Sequence, residues 1–153
     1  GFPCLRQGQT GRGMLTEMFR RHIGSILFAT SSFWEGVDVQ GEALSCLVLA
    51  RLPFGVPDDP LTEARIEALR AQGRNAFYEL TVPQAVIRFR QGFGRLIRSK
   101  TDRGVVIICD NRVMNKQYGK MFLRSLPTGA VHCVPGEKLT GDIQSFLAPQ
   151  REW

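Results

Sequence analysis

Between Gln84 and Arg98 the chain runs QAVIRFRQGFGRLIR, and three of its side chains have the types and spacing to act together. Written as a helix, the stretch puts Gln91, Arg95 and Arg98 at i, i+4 and i+7, on one face. One amide and two guanidinium groups so placed can hold a polyphosphate, because each guanidinium is a rigid fork of donors matched to phosphate oxygens. The plain alternative is a solvated helix face with ordinary surface pairing. Arg88 reads as surface, and Arg90 points elsewhere on the helical wheel. No general base, metal cluster or glycine-rich phosphate loop accompanies these residues, so they read as half of a site.

A second constellation lies in TSSFWEGVDVQG, residues 30–41. Glu35 and Asp38 are three apart and could share one side of a turn. A carboxylate after a glycine-permitted turn can accept bonds from a ribose hydroxyl or a loop amide. An Asx-turn or helix cap at Asp38, with Trp34 packed in a core, explains the same residues without a ligand. Asp58 and Asp59 resemble a metal pair, but no histidine or further ordered carboxylate stands near, and capping of a helix beginning near Leu61 is the simpler account. Cys4, Cys46, Cys109 and Cys133 show no CxxC spacing, which argues against zinc and iron–sulfur ligation. Cys46 and Cys109 read as small buried hydrophobes. His22 and His132 read as structural or surface residues.

The elements that must position these groups alternate. Ile26 to Ala29, Leu44 to Leu52 and Val105 to Cys109 are apolar runs, with a weaker one at Ala130 to Val134 and another strand at residues 2–5. Runs that are apolar throughout suit a parallel sheet covered on both faces. Helical patterns fall at 14–22, 61–72, 83–99, 113–125 and 139–147, with Pro83 suited to a first turn. The prediction is a three-layer α/β domain with a mostly parallel sheet. In open sheets of this kind the ligand crevice lies beyond the carboxyl ends of the strands, where Thr30 to Asp38, Arg51 to Asp59 and Asp110 to Arg112 should converge.

Composition sets outer bounds. The 153 residues are 43% apolar, enough for one domain with a real core. Net charge is +6, from 20 Lys and Arg against 14 Asp and Glu, which favours a polyanionic partner. Nothing is long and apolar enough to span a membrane. The polar start GFPCLRQGQTGRG does not read as a signal peptide, and the expected compartment is a reducing cytoplasm. Without an initiator methionine, the chain reads as processed or as a piece of something longer.

The strings SSFWEGVDVQGEALSCLVLARLPFGVPDDP and QAVIRFRQGFGRLIRSKTDRGVVIICDNR together resemble the DinG/XPD-type superfamily 2 DNA helicases, closer to the bacterial DinG branch with its YoaA-like members. The likeness runs from about residue 7 to about residue 148. QxxGRxxR alone is moderately specific; with SFWEGVDxxG and LPFxxPxDP in order it is strong. The resemblance implies an ATP-driven motor that moves 5′ to 3′ on single-stranded DNA. In that family two RecA-like domains clamp ATP between them, and this sequence matches only the second, with motifs V and VI. Residues 1–153 would then be one C-terminal RecA-like domain whose opening strand and motif IV precede residue 1. ATP with magnesium would be shared with the first domain. An iron–sulfur cluster would belong to the full protein, and the fragment alone would not hydrolyse ATP.

By resemblance, Arg98 is the finger on the transferred phosphoryl group, Arg95 clamps the phosphates, and Gln91 bonds near the γ-phosphate or its attacking water. Asp38, on the turn allowed by Gly36 and preceded by Glu35, would lie near the ribose or couple to motif VI. Gly92 and Gly94 would let backbone approach the partner domain. Ser31, Ser32, Phe33 and Trp34 lie where the family's motif V region faces DNA. Arg51 follows the second long strand and is a further candidate for backbone phosphate. Lys100, Arg103, Arg112, Lys116 and Lys120 face either DNA or solvent. The expected partners are single-stranded DNA and the first RecA-like domain, and an unpaired sheet edge would permit self-association of the isolated chain. The competing reading is a non-enzymatic DNA- or protein-binding domain that kept the fold. A dinucleotide-binding enzyme is disfavoured because the glycine pair of QGFGRLIR does not follow a strand.

Overall fold

A computed structural model describes residues 1–34, 39, 43–56, 59–97, 103–126 and 131–148, with backbone alone at Trp34. Four short strands pair in parallel. β1 (Cys4–Arg6) joins β2 (Ile26–Phe28), with Leu5 opposite Leu27. β3 (Cys46–Leu49) joins β4 (Val105–Ile108), with Leu49 opposite Ile108. Parallel neighbours need crossovers, and helices supply them. α1 (Arg12–Arg21) lies between β1 and β2; α2 (Pro60–Ala71) and α3 (Val82–Leu96) lie between β3 and β4. This is the parallel α/β architecture expected of a RecA-like helicase domain. Among the described residues the sheet is present as two separate pairs.

The first pair, α1 and the turn Ser31–Trp34 share a core of Leu5, Leu15, Phe19, Phe33 and Val39. The second pair and α3 share another, built on Leu49, Leu52, Val82, Ala85, Phe89 and Phe122. α3 supplies the latter through a stripe at Val82, Ala85, Phe89, Gly92 and Leu96, alternately three and four residues apart. That spacing keeps one helix face turned inward and leaves the other for polar groups.

Local chemistry sets the helix ends. Asp59 caps α2, its carboxylate accepting from the Thr62 amide at 3.0 Å and the Thr62 hydroxyl at 2.8 Å. The capping expected of this acidic pair is therefore met at Asp59; Asp58 lies outside the described residues. α3 begins earlier than proline placement suggests. The Asn75 side chain accepts from the amides of Phe77 and Tyr78, and a π-turn over Phe77–Thr81 leads into the helix. Pro83 has no amide to donate to Glu79, and the wider turn just before it, closed by Val82 onto the Phe77 carbonyl, absorbs that missing bond.

Three expectations are corrected. The pattern over 113–125 is two helices, α4 (Arg112–Asn115) and α5 (Gly119–Arg124). They part because Gly119 lies on the carbonyls of Arg112 and Val113, so close that a Cβ would stand 2.0 Å from the Val113 oxygen. Residues 131–134 form no strand: Val131, His132 and Cys133 are exposed, and Pro135 turns the chain directly into α6 (Gly136–Leu147). Cys109 is exposed, because β4 ends before it. Cys46 is half-buried, and burial pushes its thiol pKa up.

Candidate functional site

α3 is the element on which the site is built. With its apolar stripe buried, a polar stripe of Gln84, Arg88, Gln91 and Arg95 runs along its flank, and the two ends of that stripe differ. Arg88 is half-buried, its guanidinium lying over Gly55 in the loop after β3; a Cβ on Gly55 would stand 2.4 Å from Arg88 Nη1. Gln91 is exposed and Arg95 half-buried. Among the described residues no carboxylate pairs with either. Gly94 is exposed, with no atom within 4 Å of where its Cβ would stand. The open end of α3 thus offers an amide, a guanidinium and a bare patch of backbone. α3 ends at Leu96 and Ile97 is extended, so the helix expected to run to residue 99 stops short and its spacing does not carry Arg98 onto the face of Gln91 and Arg95. Arg98 itself lies outside the described residues.

The same helix packs against the turn Ser31–Trp34 as well as β3. The turn Ser31–Trp34 at the start of that motif segment and the arginine helix, far apart in sequence, are therefore neighbours. Glu35, Gly36 and Asp38 lie outside the described residues, as does the side chain of Trp34. Ser31 and Ser32 are exposed. Ser32 Oγ lies 2.8 Å from Thr30 Oγ1, and its carbonyl accepts from Arg12 Nη2 at 3.1 Å. Phe33 does not face outward. It is only 4% exposed, in the first core, because the short 3₁₀ turn rotates it inward beneath the Arg12 guanidinium.

Sequence reading missed the groups that fix this rim. The Gln7 side chain accepts from both the amide and the hydroxyl of Thr30, at 2.8 and 3.0 Å, joining the ends of β1 and β2. A groove of about 520 Å³ opens there, between Arg6, Gln7, Gly8, Phe28, Ala29 and Thr30. At the other strand pair the loops that carry Arg51 and Arg112 are bonded together. Asp110, only 8% exposed, accepts from the Leu52 amide at 2.9 Å. It also accepts from Arg112 Nε at 2.9 and 3.0 Å and from Nη2 at 2.5 Å. Those bonds hold the Asp110 carboxyl well below the usual carboxylate range, Arg112 contributing most and desolvation opposing it. Sequence alone offers no signal for a bond spanning 58 residues.

The remaining cations divide clearly. Arg112 is committed to Asp110 and lies over the Phe54 ring at 5.4 Å. Arg103 donates to the Phe146 carbonyl at 2.8 Å and covers the Phe146 ring, fastening α6. Arg51, Lys116 and Lys120 are exposed; Lys100 lies outside the described residues. No group of three His, Cys, Asp or Glu gathers to hold a metal among the described residues. No helix there is long and apolar enough to cross a membrane.

Comparison with known proteins places these features in a family. The helicase C-terminal domain family matches residues 1–129. The ATP-dependent DNA helicase YoaA of Haemophilus influenzae is 56% identical over 126 residues, covering 82% of this chain and 20% of that protein. YoaA of Escherichia coli is 52% identical over 125 residues, covering 82% of this chain and 20% of its own length. The 3′-5′ exonuclease DinG of Bacillus subtilis is 41% identical over 154 residues, covering 99% of this chain and 16% of that protein. The chain spans about a fifth or less of the length of these relatives.

Proposed function

The chain belongs to the helicase C-terminal domain family, of the DinG/YoaA-like superfamily 2 kind, and from that premise we propose that residues 1–153 are the second motor domain of an ATP-dependent 5′-3′ DNA helicase. The observation that carries this reading is the open end of α3, where Gln91 and Arg95 project from a helix whose opposite face is buried. Each residue then has a role set by its chemistry. Arg95 grips the phosphates of an ATP held mainly by the first RecA-like domain. Arg98, the finger, neutralises charge that develops on the transferred phosphoryl group. Gln91 orients the γ-phosphate or its attacking water. Gly94 keeps side-chain bulk out of the gap between domains. Asp38, with Glu35 and Gly36 beside it in sequence, meets the ribose or couples the nucleotide to α3.

DNA lies along the strand-end rim. The hydroxyls of Ser31 and Ser32 and the guanidinium of Arg51 bind backbone phosphate, and Trp34 stacks on a base. Magnesium would enter with the ATP shared with the first domain, and an iron–sulfur cluster would belong to the full protein. ATP hydrolysis requires the first domain, and the isolated chain does not turn over.

Arg95→Ala in the full-length protein tests the reading. Hydrolysis should fall about 10- to 100-fold while Tm stays within about 2 °C of wild type, because Arg95 has no carboxylate partner to lose among the described residues. A large loss of Tm with little loss of turnover per folded molecule would make Arg95 a structural residue. Tight, salt-dependent binding of single-stranded DNA by the isolated chain would favour a binding module instead.

A further inference from the structure

The loop Arg51–Val56 meets groups from elsewhere in the fold at three points. At its start, the Leu52 amide donates to Asp110 at 2.9 Å. In its middle, the Phe54 ring sits among Phe77, Tyr118 and Phe122, with centroids 5.9, 5.6 and 5.8 Å away, and under the Arg112 guanidinium at 5.4 Å. Phe122 in turn meets Phe89 of α3 at 5.5 Å. Near its end, Gly55 carries the Arg88 guanidinium, from the same polar stripe as Gln91 and Arg95. Asp110 and Arg112 connect the first two points, for one carboxylate binds the loop amide and the guanidinium that covers the loop's aromatic ring.

We infer that Asp110 and Arg112 are positioning residues that hold the Arg51–Val56 loop against α3, so that a DNA contact at Arg51 and the phosphate-facing stripe of α3 move as one body. The clamp stands on the contacts alone; its role in coupling DNA to hydrolysis rests on the motor reading above. The chemistry suits a rigid link. A planar guanidinium bound through two of its nitrogens to a mostly buried carboxylate has little freedom, whereas lysine, a point charge on a flexible stem, reproduces the charge but not the fork. Neither residue touches nucleotide or DNA in this assignment, and both act through the loop.

The test uses the full-length protein and the variants Arg112→Gln, Arg112→Lys and Asp110→Asn, at a temperature where each is fully folded. Amide hydrogen exchange over Leu52–Val56 reads the clamp. The ratio of DNA-stimulated to DNA-free ATP hydrolysis, and the DNA concentration for half-maximal stimulation, read the coupling. Exchange should quicken at least about tenfold at Leu52 in Arg112→Gln and Asp110→Asn, and the stimulation ratio should fall at least about fivefold. Arg112→Lys should recover less than half of either. Unchanged exchange would overturn the clamp. Faster exchange with an intact stimulation ratio would overturn the coupling and leave a purely structural pair. Absence of DNA stimulation in the wild type would defeat the motor reading and the coupling with it, while exchange would still decide the clamp.

Discussion

The two ends of α3 carry the same kind of residue under opposite conditions. Arg88, toward the N-terminal end, lies on the backbone of Gly55, within the loop that Asp110, Arg112 and three aromatic rings hold in place. Arg95, toward the C-terminal end, stands beside a glycine with open space around it and no carboxylate among the described residues. Arg88 packs on the backbone of its own fold, although like Arg95 it has no carboxylate partner among the described residues. On the proposed reading Arg95 keeps its donors for a ligand, while the buried stripe at Val82, Ala85, Phe89, Gly92 and Leu96 anchors the helix that carries it.

Breaking the closed end should give the largest change. Phe89 is fully buried and central to the second core, so Phe89→Ala should cost about 3–5 kcal/mol in stability, read as a lower midpoint of chemical denaturation. If that midpoint held, α3 would not be the organising helix of this core. Acid should act next, at the closed end through Asp110. Asp110 has its carboxyl pKa depressed in the folded state, so its contribution is present above the ordinary carboxylate range, about pH 4, and is lost as pH falls below it toward the depressed value. Asp110→Asn should therefore flatten the fall in stability below about pH 4, and a decline as steep as wild type would place the acid-sensitive groups elsewhere. The smallest effect belongs to the open end. Gly94→Ala adds a methyl where nothing stands within 4 Å, and should raise the stability of the chain by about 0.5–1 kcal/mol while lowering ATP hydrolysis in the full-length protein. Equal activity with the methyl present would show that no backbone approaches there.

Legibility in the sequence followed the range of the interactions. Uniform apolar runs announced β2, β3 and β4, and helical periodicity announced the buried and polar faces of α3, because both patterns are local. Asp59 as a cap was legible for the same reason, since its partner Thr62 is three residues away. The division between α4 and α5 was not, because it depends on Gly119 meeting carbonyls six and seven residues back. The π-turn before Pro83 was hidden too, since proline at the head of a helix ordinarily reads as a start. At the site, the spacing of Gln91 and Arg95 on one face could be read directly. The turn of Arg88 onto Gly55 and the bond from Leu52 to Asp110 could not, for each needs the tertiary fold to bring distant residues together.

The most direct measurement of the central claim is single-turnover ATP hydrolysis by the full-length protein with saturating single-stranded DNA, comparing Arg98→Ala with Arg90→Ala. Arg90 is an exposed arginine of α3 that stands off the polar stripe. A finger role for Arg98 predicts a loss of at least about 100-fold in Arg98→Ala and a rate within about twofold of wild type in Arg90→Ala. Near-normal hydrolysis in Arg98→Ala, or equal losses in both, would contradict it.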